Sequence, residues 1–414
     1  MTKKLLSMLI LCMFLLCGCK ENNNRPSNDT LQLSYTLGPT GIFQIYSAKD
    51  GTYYKSFVNG AIGYYDDKTG EKAVLCSNMG CPHNSDACTA YFDSISYGIF
   101  MNPEQDKLFV SCTSNTRTES GDNILYLYSM EPTGQDRKVL YKEMGDDIGR
   151  TFAFDNRDNI YFFVYDYEDT STEQSIEIKL KYNLIKLNCT TKKYETIDTF
   201  DEMYKITGAY ENYLIFAKSP TSYAAEDGKL VKYNVVDKSS EIIADNLGGY
   251  GSSAFVNKNF MYGFERTGER TAKLTKTDLL SGEIKTLSEN VTYFGVHSDM
   301  IDPANFFGDY LVTTSALPPL GDNRPMRDET YVVDLSTGEE TFVNLENNFC
   351  DYTFICATDN NVVVYATDKE TEITMTDPTT GRDAYMPVLM PVHKVISYSD
   401  YLASRDCENY LEIS

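Results

Sequence analysis

A short turn built on Thr/Ser-Gly returns seven times along this chain, and no other feature limits the fold as tightly. It reads Asp67-Lys68-Thr69-Gly70-Glu71, Glu131-Pro132-Thr133-Gly134, a degenerate Cys189-Thr190-Thr191-Lys192-Lys193, and Asp237-Lys238-Ser239-Ser240-Glu241. It continues as Leu280-Ser281-Gly282-Glu283, Ser336-Thr337-Gly338-Glu339 and Thr379-Thr380-Gly381-Arg382. A hairpin tip of two or three residues needs positive φ, which glycine adopts without strain, while Asp, Ser and Thr bond back to the local backbone. Successive turns are about 42 to 64 residues apart, the period of four-stranded propeller blades with some long loops.

The residues between the turns read as strands. Each turn follows an apolar run such as Ile124–Tyr128, Leu184–Leu187, Leu230–Tyr233 or Tyr331–Asp334. Further upstream lies a run led in by Asn, Asp or Gly, expected to be the inner strand. Its copies are Gly51–Tyr54, Lys107–Val110, Asn159–Phe163, Asn212–Phe216, Asn259–Tyr262, Asp309–Val312 and Asn361–Tyr365. The 32 Tyr and 21 Phe, with many β-branched residues at period two, suit half-buried strands. The expected fold is therefore all-β, a seven-bladed β-propeller, with six or eight blades if the degenerate turn hides or invents one. A ring of sheets buries each face against a neighbour, which one sheet alone cannot do. A pair of β-sandwiches is the rival arrangement, and the even spacing of the turns counts against it. Closure is expected from N- and C-terminal strands sharing a blade, with Ile42–Tyr46 and Tyr385–Ile396 as candidates.

Ahead of the repeats, Lys3 and Lys4 precede an apolar run from Leu5 to Leu16, long enough for export and too short to span a bilayer. Leu16-Cys17-Gly18-Cys19 resembles the bacterial lipobox, which implies that residues 1–18 are a signal peptide and that Cys19 carries the lipid. An ordinary cleaved signal peptide is the alternative. Residues 19–33 then form a polar, Asn-rich stalk, and 34–414 the propeller domain. The expected location is the cell membrane, facing outside the cytoplasm. The net charge of −23 makes nucleic acid an improbable partner and leaves the lipid, rather than electrostatics, to hold the chain at a membrane.

Three cysteines and a histidine fall together at Cys76, Cys81, His83 and Cys88, inserted after the first blade. Three thiolates and one imidazole make a full tetrahedral set for a structural zinc. The spacing matches no common zinc-finger pattern, so a disulfide, including one to Cys112, and unpaired packing cysteines stay open. Four protein ligands leave no position for water, which makes any metal here structural.

The lipobox, the cluster with Cys88-Thr89-Ala90-Tyr91-Phe92, and the closing Ile396-Ser397-Tyr398-Ser399-Asp400-Tyr401 resemble a group of uncharacterised lipoproteins of Gram-positive anaerobes. The repeats resemble the broad superfamily of TolB-like and YWTD-like propellers. The resemblance implies a fold and a surface location, and no activity comes with it.

Catalytic signatures are lacking. His83, His297 and His393 are the only histidines, and in Val296-His297-Ser298-Asp299 sequence neighbours on a strand point to opposite faces, so they make no triad. Function is expected in the long connections Tyr165 to Gln174, Lys218 to Gly228 and Ser315 to Asp328. The expected role is a lipid-anchored, non-enzymatic module that binds a surface protein or peptide. The alternatives are an extracytoplasmic hydrolase or lyase acting on peptides or glycans, marked by paired carboxylates in the channel, and a structural subunit of an envelope complex.

Overall fold

The computed structural model describes residues 30–36, 45–56, 60–92, 94–118, 123–169, 178–219, 221, 225–248, 253–268, 270–292, 306–316, 328–345, 353–376, 383–407 and 410–412. The leader, Cys19, the stalk up to residue 29, His297 and the turn Thr379–Arg382 lie outside them. Gln32–Ser414 form a compact unit. Within it the chain makes seven antiparallel four-stranded meanders in sequence order, a seven-bladed β-propeller.

Blade 1 is Ile45–Ala48, Gly51–Lys55, Ile62–Asp66 and Lys72–Val74; blade 2 is Ser94–Met101, Leu108–Arg117, Asn123–Met130 and Lys138–Gly145. Blade 3 is Phe152–Asp155, Asn159–Asp169, Ile178–Asn188 and Tyr194–Phe200; blade 4 is Lys205–Tyr210, Tyr213–Lys218, Gly228–Asn234 and Ser240–Leu247. Blade 5 is Ser253–Asn257, Phe260–Arg266, Thr271–Asp278 and Ile284–Thr292; blade 6 is Phe306–Phe307, Tyr310–Ala316, Asp328–Asp334 and Glu340–Val343. Blade 7 is Thr353–Ala357, Asn361–Thr376, Asp383–Ser397 and Tyr410–Glu412.

The first strand of each blade is the innermost, because first strands of neighbouring blades pack on one another while fourth strands are mostly exposed. The runs that the sequence marks as inner strands are therefore the second strands. The first strands were missed because they are short, down to Phe306–Phe307, and blend into the apolar residues of the hairpins they open.

The core sits between blades. One apolar cluster joins blades 1, 2 and 3, and further clusters join 3 to 4, 4 to 5, 5 to 6, 6 to 7 and 7 back to 1. Phe100 of blade 2 stacks on Phe152 of blade 3 with centroids 3.7 Å apart, a contact worth about 1 kcal/mol beyond its burial. Tyr and Phe recur at such seams because large flat side chains fill the wedge between twisted sheets.

Two sequence expectations about the turns and the closure are corrected. Six of the seven marked turns join third to fourth strands, and Asp66, Asp278 and Asp334 accept backbone N–H bonds within them as expected. The seventh, Thr379–Arg382, falls instead between the second and third strands of blade 7. There the third-to-fourth link holds a short helix, Tyr398–Leu402, capped by the Ser397 hydroxyl. Nor do the two ends of the chain share a blade. Ile45–Ala48 belongs to blade 1 and Tyr385–Ile396 to blade 7, and side chains close the ring between them.

The N-terminal segment goes elsewhere. Leu33–Thr36 is a strand paired antiparallel with Phe152–Asp155, on the axial side of the innermost strand of blade 3. Its first residue lies at the boundary expected for the stalk. Leu33 is 4% exposed and packs with Tyr35 against blades 3 and 4, while Ser34 is exposed. An all-antiparallel meander gives the ring two different ends. The turn face carries the first-to-second and third-to-fourth turns; the crossover face carries the second-to-third connections and the links between blades.

Candidate metal centre and channel mouth

The link between blades 1 and 2 is where the cysteines gather. The donor atoms of Cys76, Cys81, His83 and Cys88 all lie within 4.8 Å of one another. The edges of a zinc tetrahedron with sulfur and nitrogen ligands are roughly 3.5 to 3.8 Å, so the donor set fits such an ion. His83 Nδ1 is 3.3 Å from the Cys88 sulfur, which puts Nδ1 on the inner side of the cluster.

Local backbone shape brings the four together. Gly80 and His83 both have positive φ, 76° and 53°, which fold the link back on itself between Cys76 and Cys88. The Cys81 N–H donates to the Asn78 carbonyl and the Cys88 N–H to that of Ser85, so each sulfur is held in a tight turn. Arg137 of blade 2 clamps the far side, donating to the carbonyls of Cys88 at 3.2 Å, Tyr91 at 2.6 Å and Asp86 at 3.1 Å. Its guanidinium also lies over the Phe92 ring, 5.1 Å from the centroid. Sequence reading missed Arg137, since nothing in a lone Arg near a turn signals contacts 46 to 51 residues away.

The electrostatics differ between Cys76 and Cys88. Burial pushes the Cys76 thiol up, but the N–H groups of Asn78 and Thr89 and the thiols of Cys88 and Cys81 outweigh it and leave Cys76 below the usual range. Cys88, fully buried, is pushed up to about 11 by burial, against the N–H groups of Ala90 and Tyr91. Backbone N–H groups aimed at sulfur are what a metal-bound thiolate needs around it. Cys112 stands apart on the second strand of blade 2, buried, and all seven described cysteines are free thiols.

The other histidine in view does no such work. His393 is fully buried in blade 7 beside the Tyr365 ring, and burial pushes its imidazole down to about 4.

At the turn face the channel opens into a cavity of about 820 Å³, lined by the axial strand and by first-to-second turns of several blades. Among the described residues Glu211 is the one carboxylate on its wall, so paired carboxylates of the glycosidase kind are not built there. Its amides are largely engaged already: Asn102 bonds the backbone N–H groups of Asp106 and Lys107, and Gln105 accepts from the Lys49 N–H. On the crossover face, Glu202 bridges Lys229 and Lys218 at 2.6 and 3.0 Å; the Lys229 bond, then that of Tyr204, holds its carboxyl down to about 2. The three charges come from a blade link and two strands, a juxtaposition without any sequence signal.

The connections singled out for function all leave the same face. Those after Asn159–Asp169, Tyr213–Lys218 and Tyr310–Ala316 each join a second strand to a third. So does the hairpin of blade 7, whose paired strands run on to Thr376 and Asp383, well past their innermost neighbour Thr353–Ala357.

No family model matches the chain, and no curated protein matches it. Solved structures do. An oligogalacturonate lyase in complex with manganese aligns over 86% of this chain and 90% of its own, with TM-score 0.47 and 11% identity. An uncharacterized protein from Listeria monocytogenes aligns over 84% and 94%, with TM-score 0.48 and 12% identity. TolB from Acinetobacter baumannii aligns over 84% and 79%, with TM-score 0.33 and 12% identity. At such identities these are likenesses of fold alone.

Proposed function

We propose that the chain is a non-enzymatic binding module, held outside the cytoplasm by lipid on Cys19, whose propeller presents its crossover face to a protein or peptide at the cell surface. The observation that carries this reading is that the strands flanking the three long second-to-third connections, whose middles (170–177, 222–224 and 317–327) lie outside the described residues, all end at one face of a ring whose other face carries tight turns. The blade 7 hairpin, paired from Asn361↔Ser397 out to Thr376↔Asp383, ends at the same face. Cys76, Cys81, His83 and Cys88 hold a structural zinc in this reading, which ties the first blade link to its two blades and leaves no coordination position for a substrate.

The test has two parts. Labelled ectodomain is titrated onto native cells lacking the protein, beside a variant in which residues 367–392 are replaced by a two-residue turn. Saturable binding lost in the trimmed variant supports the reading, and binding that survives trimming removes it. Cys19→Ala moves the full chain from the membrane fraction to the medium if Cys19 is the anchor; a variant that still pellets with membranes refutes the anchor.

A further inference from the structure

The course of the axial strand decides which way the ring faces. Gln32 sits at the turn face: its N–H and carbonyl pair with Asn156, in the first-to-second turn of blade 3. From there Leu33–Thr36 runs antiparallel to Phe152–Asp155, and so passes along the channel toward the crossover face. The Leu33 N–H donates to the Glu211 carbonyl of blade 4, fixing the strand between two blades. Anything joined to the N-terminal side of Gln32 therefore leaves the ring at the centre of the turn face.

We propose that this threading turns the turn face toward the lipid surface and the crossover face away from it; the inference rests on the anchored reading above. Chain length supports it. Residues 20–31 are 12 in number and reach at most about 40 Å when fully extended. To put the crossover face on the bilayer, the stalk would have to cross from the axis to the rim, about 25 Å for four strands and half a channel, and then descend the blade, about 17 Å. That path, about 42 Å, takes up all of the greatest reach that covalent geometry allows 12 residues. The turn face over the anchor needs no such stretching. Acidic side chains such as Asp66, Asp237 and Asp334 lie on that face, so charge attraction to anionic lipid is not what orients it.

The C-terminal strand provides an internal control. Tyr410–Glu412 runs antiparallel to Asp383–Ser397, with Val392 opposite Glu412 and Lys394 opposite Tyr410, so it leaves blade 7 toward the crossover face. A tether on that end must reverse the orientation.

The experiment places a fluorophore, through p-azidophenylalanine, at Ser281 on the turn face or at Glu226 on the crossover side; both are exposed. The ectodomain from Lys20 carries a hexahistidine tag in place of the lipidated residue and is bound to phosphatidylcholine vesicles containing a nickel-chelating lipid and an acceptor dye. Faces about 17 Å apart give transfer from Ser281 that exceeds transfer from Glu226 by about twofold. With the tag moved to the C-terminal end the order reverses. Equal transfer from both positions, or an order that ignores the end tethered, overturns the proposal. Because the tag replaces the lipid, this result is independent of whether Cys19 is acylated, which the Cys19→Ala fractionation decides separately.

Discussion

Asp67 and Thr358, 291 residues apart in the chain, are joined by a hydrogen bond of 2.6 Å from the Thr358 hydroxyl to Asp67 Oδ2. The same oxygen accepts from Asn361 Nδ2 at 2.9 Å. Asp67 lies in the third-to-fourth turn of blade 1; Thr358 lies in the first-to-second turn of blade 7 and Asn361 opens the second strand there. With no strand shared between blades 1 and 7, this carboxylate closes the ring together with the apolar seam of Ile45, Ile355 and Val363, the Ser47 hydroxyl 2.9 Å from the Cys356 sulfur, and the Asp359 N–H donating to the Lys49 carbonyl at 3.5 Å.

Asp67→Ala leaves a buried hydroxyl and an amide without their acceptor, and is expected to destabilise the domain by about 2 kcal/mol. Urea unfolding reads this as a lower midpoint. An unchanged midpoint would mean that the seam holds without this carboxylate.

Two turn glycines separate backbone strain from blade contact. Gly282 has φ +75° with nothing within 4 Å of the place a methyl group would occupy, so Gly282→Ala is expected to cost about 1 kcal/mol, the penalty of positive φ for an L residue. Gly338 has φ +80°, and a Cβ there would lie 2.2 Å from the Leu287 carbonyl oxygen of blade 5. Gly338→Ala is expected to cost about 3 kcal/mol, since backbone must shift at a blade seam. Equal losses in the two variants, measured by denaturant titration, would refute the contact.

Acid sensitivity is expected from His393. Its folded imidazole is pushed down to about 4 by burial, while the unfolded value is about 6.5. Between these values the unfolded chain takes up a proton that the native one refuses. The stabilisation is therefore complete above about pH 6.5 and lost as pH falls toward 4, amounting to about 3 kcal/mol at most. His393→Gln removes that titration, and the stability gap between pH 7.5 and pH 5 should shrink. A gap of the same size in both proteins would assign the acid sensitivity to carboxylates instead.

Metal analysis decides the cysteine cluster. Ectodomain purified under reducing conditions should carry about one zinc, and Cys88→Ser or a strong chelator should remove it with a loss of about 3 kcal/mol in stability. A metal-free protein, purified without reductant, whose Cys76, Cys81 and Cys88 do not react with a thiol reagent after unfolding would favour disulfides; a metal-free protein in which they do react would favour unpaired packing cysteines.

The fold class, the number of blades and the donor set of the candidate metal centre were legible in the chain alone, because each is written in residues close together. A turn that needs positive φ, an apolar run of four or five residues, and three Cys and one His within 13 positions are local facts of the sequence. Packing in three dimensions settled the rest. Which strand lies innermost depends on the arrangement around an axis, so the second strands, mostly longer and led in by a turn residue, pass for the first. The seventh turn was placed on the wrong link because the blade 7 hairpin outgrows its blade and the helix Tyr398–Leu402 stands where a turn does elsewhere. Leu33–Thr36 gave no sign of lying in the channel, since a four-residue strand carries too little pattern to name its partner. Arg137 and Asp67 act through residues 46 to 294 positions away, and such contacts arise only when closing the ring brings the distant segments together.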